Sequence, residues 1–231
     1  TDHLDDADDR VETDERVERL VAEELFAVCA SDASCRARLG DDPWGTAREV
    51  IRSLGEGHCP SLGLDGDSGR AFVASYLSAA IVRDRIPALI HRLRRCAPGD
   101  QAALVHFYQV TSGAFGASMN DGLWINQLAF FHVGLSELWP PPPSRPSVTD
   151  VFTTWQNTIL STGLSVRLAK RQDTWPIYPR PSEADAVLPR YDRPLLMLQG
   201  ALDAATPVAR SRRPGRRREA MLVTTTQGAK A

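Results

Sequence analysis

The stretch Arg193-Pro194-Leu195-Leu196-Met197-Leu198-Gln199-Gly200-Ala201-Leu202-Asp203-Ala204-Ala205-Thr206-Pro207 decides how the rest of the chain is read. Leu195 to Leu198 form a short, continuous apolar run, which suits a strand covered on both faces, as in a parallel sheet. Gly200 lets the chain turn sharply at the carboxyl end of that strand. Asp203 is then placed to meet a histidine on a neighbouring loop, where a carboxylate fixes the imidazole tautomer and stabilises the imidazolium. The plainer alternative is a turn aspartate that caps a following helix. A second short strand is expected over Met221 to Thr226, so the end of the chain reads as a β-α-β piece. One such unit does not make a stable sheet alone. The remaining strands are expected from sequence before residue 1.

Upstream the pattern is helical. The first eighteen residues are acidic, led by Asp2, Asp5, Asp6, Asp8 and Asp9, and read as a solvated segment. Val17, Leu20, Val21, Leu25 and Val28 then recur at helical spacing behind a Thr13 cap. Asp42-Pro43 marks a helix start, with Trp44, Ala47, Val50, Ile51 and Leu54 on one face and Gly55 at the stop. Further helices are expected at about 69 to 83, 85 to 95 and 99 to 111, the last with Leu104, Phe107 and Tyr108 as its apolar stripe. Leu123 to Trp139 reads as helix from its length and aromatic spacing, with Ile125 and Val133 leaving a strand as the alternative. Pro140 to Pro143 reads as a stiff polyproline-type segment, and 149 to 169 as one helix with Phe152, Trp155, Ile159 and Leu160 inward. Prolines 176, 179, 181 and 189 indicate an irregular connection from 173 to 190. The expected organisation is an acidic segment over 1–18, a helical lid over 19–190 and a truncated core piece over 191–231.

Composition bounds the function. A formal net charge of −2 over 231 residues argues against a general nucleic-acid binder, and no apolar run is long enough to span a bilayer. The basic group Arg210, Arg212, Arg213, Arg216, Arg217 and Arg218 is interrupted by Pro214-Gly215 and suits a solvated face better than a polyanion site. Cys29, Cys35, Cys59 and Cys96 lack zinc-site spacing, so no metal is expected. An even count suits two disulfides, naturally Cys29 with Cys35 and Cys59 with Cys96, and hence a secreted, periplasmic or cell-envelope protein. Four reduced, buried thiols in a cytosolic protein are the alternative. No cofactor motif is present. Thr1 is not followed by a basic and apolar leader, so either a signal peptide has been removed or, the favoured expectation, the chain is a piece of something longer.

An apolar strand ending in Gly-x-x-Asp and then Thr-Pro resembles the acid-bearing strand of α/β-hydrolases, most closely the tripeptidyl-aminopeptidase-like and proline-iminopeptidase-like serine peptidases. Cys29-Ala30-Ser31-Asp32-Ala33-Ser34-Cys35 resembles the lid cysteine pair of that family. Leu123-Trp124-Ile125-Asn126 through Ser136-Glu137-Leu138-Trp139 resembles its helix-return motif. The resemblance is strong at 193 to 207 and loose over the rest of 20 to 231. It implies an α/β-hydrolase fragment, a mostly helical lid followed by a short βαβ piece of the core sheet, with Asp203 as the triad acid. It also implies that Glu137 holds the free amino terminus of a peptide substrate through charge-assisted hydrogen bonds. A solvated helix glutamate is the alternative, and Trp124 and Trp139 either line a pocket or simply pack.

The departures are equally plain. The family's triad runs Ser, Asp, His, with the serine in a Gly-x-Ser-x-Gly elbow. The nearest string, Gly116-Ala117-Ser118-Met119-Asn120, lacks the last glycine, and Ser118 reads as a loop serine. No histidine follows His132. His58, His91, His106 and His132 read as surface or packing residues. The expectation is therefore a serine hydrolase acting on peptides or esters through an acyl-enzyme. Its nucleophile and base would belong to the missing core of the same protein, and this chain alone would be inactive. The rival is a non-enzymatic binding module or a degenerate hydrolase.

Overall fold

The computed structural model describes residues 21–77, 79, 81–120, 127–179, 195–200 and 220–225, with the backbone alone for 113–120, 127 and the last two segments. Helix α1 is described from residue 21 to 31. It turns Val21, Ala22, Leu25, Phe26 and Cys29 inward, while Val28, expected on that face, is 49% exposed. Asp32 accepts from the Cys35 amide at 2.7 Å and caps α2 (Ala33–Leu39), and the Cys29–Cys35 disulfide ties the two helices across this corner. The Asp42 side chain accepts from Gly45 N at 2.8 Å to start α3 (Pro43–Gly55), which buries the expected Ala47, Val50, Ile51 and Leu54 while Trp44 is only half-buried. Asp65 and Ser68 form a reciprocal capping box on α4 (Gly66–Ser75). This helix stops well short of residue 83.

Helix α5 (Ile86–Arg95) runs through the middle of the bundle and buries Ile86, Leu89, Ile90 and Leu93. Its end is stapled by the second disulfide, Cys59–Cys96, which spans 37 residues. Both of its cysteines hold left-handed backbone, φ 60° at Cys59 and 49° at Cys96, and Cys96 sits at the helix C-cap where glycine is the usual residue. Helix α6 (Pro98–Asn120) follows at once. Its Asp100 is buried and accepts from Arg92 at 3.0 Å and from Arg95, so α6 is pinned to α5. The Arg95 guanidinium holds the Asp100 carboxyl below the ordinary carboxylate range, with a smaller contribution from Arg92.

A second, smaller core forms from α7 (Gln127–Val133), a wide π-type turn (Gly134–Leu138), α8 (Val148–Asn157) and α9 (Leu164–Ala169). It buries Phe131, Leu135, Trp139, Val151, Val166 and Leu168. Pro140 to Pro143 does not extend as a polyproline rod. Ser144 N donates to Pro141 O at 2.9 Å, which closes a turn. The helix expected over 149 to 169 is broken between 158 and 163, where Leu160 reaches into the first core. Gly163 has φ 70°, and a side chain there would meet the Trp155 indole at 3.1 Å. Arg70 of α4 joins the two cores. Its guanidinium lies 5.1 Å over the Trp155 ring and donates to Gln156 O at 2.9 Å and to Asp67 at 2.7 Å.

The expectation of an α/β-hydrolase fragment with a βαβ piece of core sheet is corrected by this architecture. The interpretable part is 70% helical, and the packed body from 21 to 179 contains no described strand. Leu195–Gly200 (β1) and Ala220–Thr225 (β2) are extended and pair in parallel, Leu195 opposite Ala220 and Gly200 opposite Thr225. Two six-residue strands make a ribbon below the size of a stable sheet, and residues 201–219 between them lie outside the described part. A four-residue apolar run sets extended backbone locally. A core sheet also needs flanking strands and covering layers, and none is described around this pair.

Candidate functional site

The residues that sequence reasoning singled out separate sharply. Asp203, Trp124 and the arginines from 210 to 218 lie outside the described residues. Ser118 lies within α6, which corrects its reading as a loop serine. His58 Nε2 sits 2.9 Å from Leu93 O and His91 Nδ1 3.1 Å from Arg38 O. Burial lowers the His91 imidazole pKa, the Arg38 carbonyl partly opposing this. Trp139 is 3% exposed and donates from Nε1 to Gln172 Oε1 at 2.8 Å, so it packs rather than lines an opening. Cys29–Cys35 and Cys59–Cys96 are both disulfides. Among the described residues no cluster of three or more His, Cys, Asp or Glu is placed to hold a metal.

Among the described residues, Glu137 is the expected substrate-binding residue, and side chains converge on it. It stands in the π-type turn, closed by Trp139 N donating to Gly134 O at 2.7 Å. Gly134 permits that turn, since a Cβ there would come within 3.1 Å of Leu168 in α9. The turn divides its residues by face. Leu135 and Ser136 are buried, Glu137 is half-buried, and Leu138 is 60% exposed. π-type turns occur disproportionately at functional positions.

Residues 176 to 178 lie against the outer side of this turn. The Tyr178 hydroxyl donates to Glu137 Oε1, and Tyr178 N donates to Ser136 Oγ at 3.2 Å. His132 Nδ1 is 3.1 Å from Pro176 O, and since a carbonyl only accepts, the proton sits on Nδ1. The His132 and Tyr178 rings meet edge-on at 4.8 Å. The bond to Glu137 pushes the Tyr178 phenol up, with burial and the Glu137 charge acting the same way. The phenol therefore stays a neutral donor and aims the carboxylate. Val133, Leu138 and Ile177 leave exposed apolar surface nearby, at 42%, 60% and 46%. Among the described residues no lysine or arginine pairs with Glu137.

Such an arrangement can accept an amino group: an oriented carboxylate, unpaired with any lysine or arginine among the described residues and bordered by apolar side chains. Tyr178 is the member that sequence reasoning missed. It lies in the proline-rich connection, 41 residues from Glu137, and no spacing rule joins the two. Compared with known proteins, the chain matches no family model, no curated protein and no solved structure.

Proposed function

We propose that the helical body is the substrate-admitting cap of a secreted serine hydrolase acting on peptides, and that Glu137 anchors the free amino terminus of the substrate. The carrying observation is the half-buried carboxylate aimed by the Tyr178 hydroxyl, with no lysine or arginine paired to it among the described residues. The two disulfides, and the lack of any described helix long and apolar enough to cross a membrane, are compatible with an extracellular location. In this reading Asp203 serves as triad acid, and the nucleophile and base belong to residues other than these 231. The reading does not rest on a core sheet within this chain.

A second reading is a non-enzymatic binding module, in which the same Tyr178-aimed carboxylate of Glu137 serves binding alone. One measurement tests the amine site that both readings share, and a second separates them. Titration calorimetry of the chain with a short apolar peptide amide is expected to show binding that N-acetylation of the peptide abolishes. Glu137→Gln should weaken it roughly tenfold or more, the worth of one charge-assisted hydrogen bond. Equal affinity for free and acetylated peptide removes the amine site from both readings. Fluorophosphonate labelling of the full-length gene product, diminished by Asp203→Asn, supports the hydrolase. Undiminished labelling removes Asp203 from the chemistry, and no labelling at all leaves the binding module.

A further inference from the structure

Arg167 of α9 and Arg171, just beyond that helix, turn onto one aromatic ring. The Phe131 centroid lies 5.8 Å from Arg167 Cζ and 5.0 Å from Arg171 Cζ, and Arg171 Cζ also stands 5.8 Å from the Trp175 ring. Phe131 is buried and Trp175 packs on it, so the surface that seats the guanidiniums is fixed. Both arginines are exposed, and neither has an ion pair or a side-chain hydrogen bond among the described residues. The nearest acid along the chain, Asp173, is taken by Arg145 at 3.2 Å. Trp175 leaves a further donor unspent, its buried Nε1 having no hydrogen-bond partner among the described residues. Two like charges held over one ring repel each other. A guanidinium presents its N–H groups as a fork that matches a carboxylate.

We infer that this arginine pair receives the C-terminal carboxylate of the same peptide whose amino terminus meets Glu137, so that the cap selects short peptides with both ends free. The inference rests on the amine site proposed above. Its support is the way the two charged sites are strung together. Phe131 and His132 are successive residues of α7, while Trp175 and Tyr178 lie three apart in the segment that follows α9. Phe131 meets Trp175 at 5.2 Å, and His132 meets Tyr178 at 4.8 Å. The first contact carries the two guanidiniums, and the second carries the phenol that aims Glu137. Three steps of chain separate Cα atoms by at most about 11 Å, and an extended peptide advances about 3.3–3.6 Å per residue. Cations and carboxylate therefore stand apart on the scale of a few peptide residues. A dipeptide to tetrapeptide can meet both, whereas a long chain carries its carboxylate elsewhere.

Titration calorimetry of the 231-residue chain with trileucine, its C-terminal amide and its N-acetyl form tests this. The free tripeptide is expected to bind about tenfold more tightly than the amide. Added salt should shrink that preference, since both arginines are exposed. Arg167→Gln and Arg171→Gln should each reduce the preference and together abolish it, with the affinity for the amide unchanged. A mere loss of packing would weaken free acid and amide alike. Arg171→Lys, which keeps the charge without the fork, should retain part of the preference. Equal affinity for free acid and amide, with acetylation still abolishing binding, overturns this inference and leaves the amine site standing. Equal affinity for all three ligands removes the amine site as well. A preference for the free acid that survives both glutamine substitutions, or one that acetylation does not touch, also overturns the two-ended substrate.

Discussion

Replacing Cys59 and Cys96 together separates two opposing effects that the structure joins at one disulfide. The cross-link closes 37 residues, and the chain-entropy relation gives about 4 kcal/mol for restricting the unfolded chain over that length. The same two residues hold left-handed backbone, at φ 60° and 49°, which costs an L-residue about 1–2 kcal/mol at each position. The Cys59→Ala/Cys96→Ala variant loses the cross-link and keeps the backbone cost, so it should lose about 4 kcal/mol. In Cys59→Gly/Cys96→Gly the backbone cost vanishes, offset by roughly 0.5–1 kcal/mol per glycine of added freedom in the unfolded chain. The glycine pair should therefore be about 1 kcal/mol more stable than the alanine pair. Urea unfolding followed by circular dichroism reads both, and the slope should rise in each variant as the unfolded chain expands. An alanine pair that loses less than about 1 kcal/mol, or a glycine pair that ranks below it, refutes the reasoning.

Two further outcomes follow from buried charges. Arg70→Ala removes the stacking on Trp155 and the bond to Gln156 O and should cost about 2–3 kcal/mol in denaturant unfolding. An unchanged midpoint would show that Arg70 does not join the cores. Asp100, held below its ordinary value of 3.8 by Arg95, binds fewer protons folded than unfolded at acid pH. Its contribution is full above that value and is lost as pH falls through the lowered folded value. Stability measured from pH 6 to 2 should drop less steeply in Asp100→Asn than in the wild type, from a lower neutral plateau. Parallel curves would assign the acid limb to other carboxylates.

The parts of the fold legible in sequence are those decided within a few residues. Asp42-Pro43 announces α3 because cap and first-turn proline act locally, and the spacing and even count of cysteines suffice for the two disulfides. The misses each involve a distant partner. Val28 turns outward because Val21, Leu25 and Cys29 already fill the inward stripe of α1. The break before Gly163 depends on the Trp155 indole and on the first core accepting Leu160. The wide turn at 134 to 138 depends on Gly134 nestling against Leu168. At the candidate site Glu137 stood out by its place in the chain, whereas its orientation depends on Tyr178, which a strap fastened by His132 and Ser136 brings alongside. The βαβ reading failed for the same reason: Leu195 to Leu198 specify an extended segment, and a sheet is a property of several such segments at once.

The division into two apolar clusters joined at Arg70 and Leu160 has a consequence for how damage spreads. Paired substitutions taken one from each cluster should combine additively in free energy, since distant side chains that share no partner do not feel each other's rearrangement. A lesion beside Phe131 or Trp139 would then loosen the half that carries Glu137 while the disulfide-bonded half keeps its amide protection. The half around Glu137 can therefore drift in sequence without taking the stapled half with it.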